Sequence, residues 1–403
     1  MFQDKIFLLK GKVQHYSWGG YKFIPQLLNI ENNEHKPFAE YWMGAHPSNS
    51  STIVVNGNDR LLNELINENP EEYIGDKVFK RFGELPYLFK ILDVRELLSI
   101  QVHPSKTEAE KGFDAEEAAG IAITDKSRNY KDRNHKPEVM VALSEFWLLH
   151  GFLIKEKLEQ VLSSVPEFET LIPIFKNNGY KGLYQYVMEL PQDKSDELLK
   201  PLVQRELQSD STDKSKPGFW VRRVYEYQTN KELTNIDRGI YSIYFFNIVK
   251  VLPGQAIFQS AGIPHAYMEG QNVELMANSD NVLRGGLTPK HIDVPELLKH
   301  TKFEGVVPNV INGNILPDKE KIYPCPVPDF GITKIEVDSS ETIANTAFSA
   351  EIIIVTEGEI IISNNEKELK LSHGEAAFIL PETKYAVRSS SKGIAYKAFV
   401  PEI

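Results

Sequence analysis

The sequence is poor in cysteine, in long apolar runs and in net positive charge. One cysteine, Cys325, occurs among 403 residues, which excludes an intrachain disulfide and a metal cluster held by thiolates. The apolar run near the start, Ile6–Leu9, is too short for the core of a signal peptide. No window approaches the roughly twenty apolar residues of a membrane span. We therefore expect a cytoplasmic protein without a membrane partner.

The charge balance is negative. Lysine and arginine number 45 against 56 aspartate and glutamate residues, which gives a formal net charge of −11. A negative surface repels nucleic acids and anionic membranes, so we expect no nucleic-acid partner. A small anionic substrate is compatible with this balance, because a few local lysine and arginine side chains are enough to bind it.

A chain of 403 residues is too long for one ordinary core, which predicts two or three domains. The spacing of apolar residues also changes along the chain. Short apolar runs broken by glycine, proline and asparagine are typical of antiparallel β-structure and fill the first hundred residues. Helical three- and four-residue spacing begins near Leu153, and β texture returns after the polar stretch "SDSTDKSKPG". We predict a mainly β fold with a discontinuous β domain (1–152 and 236–315), an inserted helical block (153–235) and a C-terminal β domain (316–403).

Two helices are predicted outside that block. The stretch "LLNELINENPEEY" has apolar residues at helical spacing and predicts one helix. The stretch "KTEAEKGFDAEEAAGIA" predicts another, with Thr107 as its N-cap.

A weak internal repeat links the two β regions. Residues 254–266 and 374–386 share the pattern G-x-A-x-F, followed at the same distance by His265 or Tyr385 and then alanine. Two unrelated hairpins would also give this pattern. If the repeat is real, the chain contains two related β-barrels, His265 is not needed for folding, and the C-terminal copy binds no metal.

The stretch "SIQVHPSK" alternates as a strand does. Ile100 and Val102 point to one face, and Ser99, Gln101 and His103 point to the other. This polar face is either wet surface or the lining of a polar pocket.

Four polar residues from separate parts of the chain could together bind a metal ion. Gln101 and His103 share a strand face, and Glu138 and His265 would arrive from other strands. Two imidazole nitrogens and two oxygens suit zinc, and by ligand type also iron, manganese, cobalt or nickel. Each histidine alone could equally be a packed core residue, which is our interpretation of His46.

The segment after His265 is rich in charged and polar groups. It brings Tyr267, Glu274, Asp280, Arg284 and Lys290 within thirty residues. Arg284 precedes two glycines, and an arginine there suits an oxyanion or a phosphate. A solvated surface arginine is the alternative.

Six segments resemble the signature segments of type I mannose-6-phosphate isomerases, which are metal-dependent cupins. They are "QHYSWG", "YWMGAHPS", "LPYLFKIL", "LLSIQVHPSK", "YKDRNHKPEV" and "IPHAYMEGQNVELMANSDNVLRGGLTPK". The similarity covers most of the first 150 residues and 236–300, and the remainder matches only in general pattern. His15 and Gln271 stand where the family often has asparagine and aspartate.

The resemblance implies a cupin jelly-roll for the first β domain and one Zn²⁺ per chain. It implies an aldose–ketose isomerase that interconverts mannose 6-phosphate and fructose 6-phosphate through a metal-stabilised cis-enediol. The family's ligands fall on Gln101, His103, Glu138 and His265, its active-site arginine on Arg284, and the lysine of its "HKPE" segment on Lys136.

The reaction assigns roles to further residues. A base must move a proton between C1 and C2, and Lys136 competes for this role with Glu274 and Asp280. The phosphate needs cationic and hydroxyl partners, for which the candidates are Ser99, Lys90, Lys290 and Arg284. Tyr267 joins them as a substrate-binding candidate.

Two other functions remain open from the sequence. A non-catalytic sugar-phosphate-binding cupin would keep the pocket without turnover. A different metal-dependent cupin enzyme, such as an oxygenase, would prefer iron and would not need the phosphate-binding cations. The expected assembly is a monomer or a weak homodimer.

Overall fold

The described chain folds mainly into β-strands, with helices concentrated in its middle. The structure is a computed structural model that describes residues 4–226 and 233–402. The prediction of a mainly β fold is confirmed. Residues 227–232 of the predicted helical block lie outside the described residues.

Two large sheets contain the strands. Within the described residues the first sheet has ten strands. These are β2 (Lys12–Gln14), β3 (Glu40–Met43), β6 (Tyr87–Val94), β7 (Gln101–Val102), β8 (Glu138–Ala142), β9 (Phe146–Phe152), β10 (Phe246–Val251), β11 (Ala256–Gln259), β12 (His265–Ala277) and β13 (Leu283–Arg284).

The second sheet has twelve strands in the same parts of the chain. These are β1 (Ile6–Lys10), β4 (Thr52–Val55), β5 (Asn58–Leu61), β14 (Asn314–Ile315), β15 (Lys321–Tyr323), β16 (Gly331–Asp338), β17 (Thr342–Thr346), β18 (Glu351–Ser363), β19 (Glu368–Ser372), β20 (Ala376–Ile379), β21 (Lys384–Arg388) and β22 (Lys392–Phe399).

Helices connect these strands. The described α-helices are α1 (Phe23–Leu27), α2 (Leu62–Glu68), α3 (Pro70–Ile74), α4 (Asp76–Phe82), α5 (Lys106–Ala118), α6 (Lys155–Ser164), α7 (Ile172–Glu189), α8 (Gln192–Leu207), α9 (Pro217–Glu226), α10 (Gly239–Phe245) and α11 (Val294–His300). A 3-10 helix spans Pro166–Leu171. Among the described residues, none of these helices combines the length and apolar character that crossing a bilayer requires.

The helices α6 to α10 lie between two strands that pair with each other. The chain leaves the first sheet after β9 and re-enters it as β10, which runs antiparallel to β9 with Val251 opposite Phe146. The helices form a core with Ile100 and Val102, which are fully buried on one face of the strand segment 99–103. Because side chains alternate along a strand, Gln101 points to the opposite face, away from these helices.

The second sheet covers the back of the first sheet. Phe89 and Ile91 of β6 share one apolar core with Ile352 and Phe378 of the second sheet. Alternation along β6 therefore turns Lys90 to the other side of the first sheet. The side chains that face away from this shared core are the ones that build the polar site.

The sheets do not follow the predicted boundaries at the N-terminus. β1, β4 and β5 come from the first 61 residues, yet they belong to the second sheet, where Ile6 lies opposite Ile379. β20 would otherwise present unpaired backbone groups beside β18, and the apolar β1 pairs with that edge.

Two helix predictions need correction. The predicted helix over "LLNELINENPEEY" is two helices, α2 and α3, because Pro70 disfavours helical geometry at the preceding Asn69. The N-cap of α5 is Ser105 rather than Thr107, and the Ser105 hydroxyl accepts a hydrogen bond from the backbone N–H of Glu108.

A buried charged cluster lies inside the second sheet. The Lys397 ammonium lies 2.8 Å from a Glu320 carboxylate oxygen and 3.9 Å from one of Glu351. The Tyr385 hydroxyl donates to the other Glu351 oxygen at 2.6 Å, and Thr333 donates to Glu320 at 2.6 Å. All five residues are buried, so the cation and the two carboxylates depend on one another for neutralisation.

We predict that Lys397→Met destabilises the protein strongly. It would leave two buried carboxylates without their cation, which costs about 3–5 kcal/mol. Lys392→Met is the matched control, because Lys392 is exposed and lies 3.7 Å from its carboxylate partners; its cost should stay within about 1 kcal/mol. Urea unfolding measures both variants, and equal losses would contradict the role given to Lys397.

Candidate metal centre

Three candidate ligands converge at the ends of strands. His103 directly follows β7, Glu138 opens β8, and His265 opens β12. One ligand atom from each lies within 4.8 Å of the other two, and all three residues are buried. Gln101 lies directly opposite His265 in the pairing of β7 with β12. The pairing of these short strand ends thus brings residues from three parts of the chain to one point.

Hydrogen bonds fix which nitrogen of each histidine faces this point. His103 donates through Nδ1 to the carbonyl of Asn281 at 2.8 Å, and His265 donates through Nδ1 to the carbonyl of Ile263 at 2.9 Å. In the neutral rings, each Nε2 therefore carries a lone pair. These nitrogens lie 3.4 and 3.3 Å from the two oxygens of Glu138.

The electrostatics of the three residues suit a cation. Burial would raise the pKa of Glu138, but Lys136 and His103 hold it well below its usual range. Burial lowers the pKa of His103 to about 4, so its ring is neutral at physiological pH. The buried His103 Nε2 has no hydrogen-bond donor directed at it. Two imidazole nitrogens that face a buried carboxylate form the ligand set of a mononuclear zinc site.

A cavity of about 750 Å³ adjoins Gln101. Its wall also includes the predicted residues Ser99, Arg284 and Lys290. Arg284 lies opposite Gln101 in the pairing of β13 with β7. The strand that carries Arg284 therefore lies beside the strand that carries a candidate metal ligand. The polar face of "SIQVHPSK" therefore lines a pocket, which decides between the two interpretations of that strand.

Lys136 approaches the same group from the segment before β8. Its ammonium lies 3.4 Å from Glu138 Oε1, and its side chain is only 12% exposed. Glu138 is thus shared between the two histidines and a cation. Lys136 therefore lies on the same side as the ligand atoms of Glu138.

Lys90 and Glu274 lie inside the first sheet rather than on the cavity wall. The Lys90 ammonium lies 3.1 Å from Glu274 and 3.3 Å from Glu40, and it stands over the Trp42 ring. Burial opposes the charge of Lys90, but the two carboxylates outweigh it and raise its pKa. Burial raises the pKa of Glu274 in spite of Lys90. Lys90 is thus already paired with protein carboxylates.

Tyr267 and Asp280 occupy two further places. Tyr267 is buried and packs edge-to-face on Phe146, and burial and Glu274 raise the pKa of its hydroxyl. The Asp280 carboxylate lies 3.4 Å from His46, and this contact lowers its pKa. His46 is a buried, partnered histidine, as the sequence interpretation had it.

Sequence reasoning missed Glu40 and Asn281. Glu40 lines the cavity, accepts from the Trp42 indole at 2.5 Å and contacts Lys90. Asn281 is fully buried; its carbonyl orients His103, and its side-chain amide donates to the carbonyls of Asp132 and Asn134. The charged Glu40 within the apolar stretch "AEYWM" was a signal for Glu40, whereas the contact of Asn281 with His103 is made by its backbone carbonyl and leaves no such signal.

The second sheet contains a counterpart of this group. Gln259 pairs with Glu138 between β11 and β8, and Ile379 pairs with Glu351 between β20 and β18 at the same place in the repeat. The repeat is therefore structural. Tyr385 stands at the position of His265, and Lys397 brings the positive charge to the Glu351 carboxylate.

Two buried histidines and a buried carboxylate beside a charged cavity define the site of a mononuclear metalloprotein. The family description "phosphomannose isomerase type I, catalytic domain" matches residues 6–154. The chain is 38% identical over 374 residues to the mannose-6-phosphate isomerase of Salmonella typhimurium, covering 92% of this chain and 94% of the relative. It is 34% identical over 415 residues to that of Mus musculus, covering 94% of each. The chain belongs to the type I mannose-6-phosphate isomerase family.

Solved structures agree with this assignment. A glutamate-to-alanine variant of the Salmonella typhimurium phosphomannose isomerase matches with a TM-score of 0.89 at 33% identity, over 99% of this chain and 100% of that one. The Salmonella typhimurium enzyme bound to fructose 6-phosphate and zinc matches with a TM-score of 0.87 at 34% identity, over 98% of this chain and 100% of that one. The fold therefore extends over almost the whole chain.

We predict that His265→Ala abolishes metal binding and leaves the fold intact. Removing one of three converging ligands should weaken zinc binding by at least about 100-fold, since even outer partners of a ligand contribute 10–100-fold. The fold should persist, because Tyr385 occupies the equivalent position in the second sheet. Metal analysis and circular dichroism measure the two effects.

His300→Ala is the control for this substitution. His300 is also a partly buried histidine with hydrogen-bond partners, Tyr130 and Glu296, but it lies outside the metal group. It should keep one zinc per chain. Full zinc content in His265→Ala, or zinc loss in His300→Ala, would contradict the assignment of the ligands.

Proposed function

We propose that the chain interconverts mannose 6-phosphate and fructose 6-phosphate with one zinc ion held by Gln101, His103, Glu138 and His265. The observation that carries the proposal is the convergence of His103, Glu138 and His265 beside a cavity that also contains Arg284 and Lys290. The relatives are named mannose-6-phosphate isomerases, and one related structure contains both zinc and fructose 6-phosphate.

The ion supplies positive charge for the sugar oxygens on which negative charge develops during isomerisation. The two neutral imidazoles, the neutral amide and the one carboxylate leave part of the charge of a divalent ion uncompensated. Buried strand ends hold these ligands, so little reorganisation accompanies the reaction. This arrangement favours an anionic intermediate over the neutral sugar.

Lys136 is proposed as the base: its amine, in the uncharged form, takes the proton from C2 of mannose 6-phosphate and, as the ammonium, returns it to C1, and the reverse reaction runs from C1 to C2. Its ammonium lies 3.4 Å from Glu138, so it reaches the edge of the ligand group. The competing candidates have other partners: Glu274 pairs with Lys90, and Asp280 contacts His46. Arg284, opposite Gln101, is placed to stabilise the charge that develops on the sugar oxygens.

The phosphate end of the substrate is assigned to Ser99, Arg284 and Lys290 on the cavity wall. A cavity of about 750 Å³ suits a hexose phosphate. Lys90, Tyr267 and Glu274 lie in the buried interior, and we propose that they act on the site through its electrostatic field rather than by direct phosphate contact.

The division of the chain into domains is part of the same proposal. The two sheets and their repeated pairing support two cupin barrels, 1–152 with 236–315 and 316–403, and an inserted helical block at 153–235. The strands β1, β4 and β5 are then exchanged into the C-terminal barrel. We also propose that the enzyme is cytoplasmic, that it is a monomer or a weak dimer, and that it has no nucleic-acid partner.

The test is turnover of mannose 6-phosphate in a coupled assay for fructose 6-phosphate. Turnover should disappear on chelation and return with one equivalent of zinc. Phosphate-sugar binding without turnover would instead support the non-catalytic cupin. Activity restored by iron alone, with no need for a phosphorylated sugar, would support a different metal-dependent enzyme.

Lys136→Met should lower kcat by about 100-fold to 10,000-fold, the range for loss of a general acid or base, while zinc stays bound. Lys106→Met is the control, because Lys106 is an exposed lysine at the start of α5 that donates to Asn134 rather than to Glu138. It should keep kcat within about threefold of the wild type. Equal kcat values for the two variants would remove Lys136 from the mechanism.

A further inference from the structure

Asp237 connects the start of α10 to the chain that follows Arg284. We call residues 284–290 the arginine loop. Asp237 Oδ1 accepts hydrogen bonds from the backbone N–H groups of Gly239 and Leu287, both at 2.7 Å, and Oδ2 accepts from the N–H of Thr288 at 3.0 Å. Hydrogen bonds to a carboxylate are stronger than those between neutral groups, so Asp237 holds the loop firmly.

The two segments are in backbone contact at this point. A β-carbon on Gly286 would lie 2.5 Å from the Cα of Gly239, and Gly286 has a φ of +127°. A β-carbon on Gly239 would in turn lie 2.6 Å from the Leu287 nitrogen. Glycine at both positions is therefore what allows the Asp237 carboxylate to reach the loop.

The opposite side of the arginine loop is bonded to the strand of the metal centre. The Gly285 N–H donates to the carbonyl of Ile100 at 2.9 Å, and the Ile100 N–H donates to the carbonyl of Gly286 at 3.0 Å. Ile100 precedes Gln101. The loop is thus held between a candidate ligand strand on one side and Asp237 on the other.

Both Asp237 and the arginine loop reach the cavity. Asp237, Thr288 and Lys290 line its wall together with Arg284. Lys290 is exposed, and among the described contacts the loop beyond Thr288 has only the Thr288 hydroxyl bonded to the Lys290 N–H, at 3.1 Å. Asp237 is therefore the last residue outside the loop that holds it before Lys290.

We propose that Asp237 is a positioning residue that holds the arginine loop and so sets the affinity for the phosphate end of the substrate. The inference rests on the proposed function. Without Asp237 the loop must be ordered when the substrate binds, and the entropy lost then weakens binding. The strands that hold the metal ligands are unaffected, so KM should change more than kcat.

The carboxylate also carries a negative charge on the wall of a cavity that binds an anion. If this charge were its main effect, removing it would tighten substrate binding. Asp237→Asn separates the two effects, because its amide oxygen still accepts hydrogen bonds but is uncharged. Positioning predicts a large loss for Asp237→Ala and a smaller one for Asp237→Asn.

The experiment compares the zinc-loaded full chain with Asp237→Ala and Asp237→Asn. Asp237→Ala should raise KM for mannose 6-phosphate and Ki for inorganic phosphate about tenfold, with kcat within threefold and zinc content unchanged. Asp237→Asn should recover at least half of that loss on a logarithmic scale. Gly286→Ala, which leaves Asp237 in place but forces the loop away from Gly239, should raise KM in the same way and serves if Asp237→Ala does not fold.

Asp196→Ala is the matched control. The Asp196 carboxylate accepts the backbone N–H groups of Asn235 and Ile236 at 2.8 and 2.9 Å, so it anchors the residues directly before Asp237 and, among the described hydrogen bonds, makes none to the arginine loop. Its KM should stay within threefold of the wild type. An equal rise in KM would show that general loosening of the segment, rather than the loop contact, is responsible.

Three results would overturn the proposal. They are an unchanged KM in folded Asp237→Ala, a lower KM in both Asp237 variants, and a fall in kcat alone. Calorimetric titration with inorganic phosphate measures the loop without turnover. Absence of turnover in the wild type with normal phosphate binding would therefore reject the proposed function and leave the inference about Asp237 to be decided by that titration.

Discussion

A buried carboxylate faces two imidazole lone pairs, and the polar half of the molecule is organised around this contact. Hydrogen bonds from His103 to Asn281 and from His265 to Ile263 turn both ring acceptors toward Glu138. Lys136 lies 3.4 Å from one oxygen of Glu138, but the buried His103 Nε2 has no hydrogen-bond partner among the described residues, and burying such an acceptor unpaired is costly. A cation at the centre of the group would satisfy it, which makes metal binding a consequence of the way the strand ends pair.

The second sheet shows the same scaffold with a different source of positive charge. Glu351 occupies the place of Glu138 in the repeat, and Tyr385 occupies the place of His265. There the Lys397 ammonium, supplied by the chain itself, neutralises the carboxylates. A covalently attached cation fills the site permanently and leaves no coordination position for a substrate. The copy in the second sheet is thereby suited to a structural role, and the copy in the first sheet to chemistry.

The sequence was informative where function depends on residue type and short spacing. The alternation of Ile100 and Val102 with Gln101 correctly separated the packed face from the polar face. The two histidines and Glu138 were recognisable because together they form a set of metal-ligand types. The exchange of β1 into the second sheet was not predictable, because pairing Ile6 with Ile379 is a contact between the ends of the chain that no local pattern encodes. The partners of Lys90 were missed for the same reason: Glu40 and Glu274 come from two different neighbouring strands.

The two ends of the site are held by different kinds of structure, and the chemistry explains why. Ligands that must direct lone pairs to one point are held at buried strand ends, where pairing on both sides fixes the backbone. In the proposed function the other end of the site binds the phosphate, which requires positive charge more than a precise direction, and Arg284 and Lys290 lie on a glycine-containing loop. Such a loop keeps its place only if something outside it supplies order. We propose that the segment before α10 supplies that order through Asp237, so that a segment without any of the candidate metal ligands would determine how one end of the substrate is held.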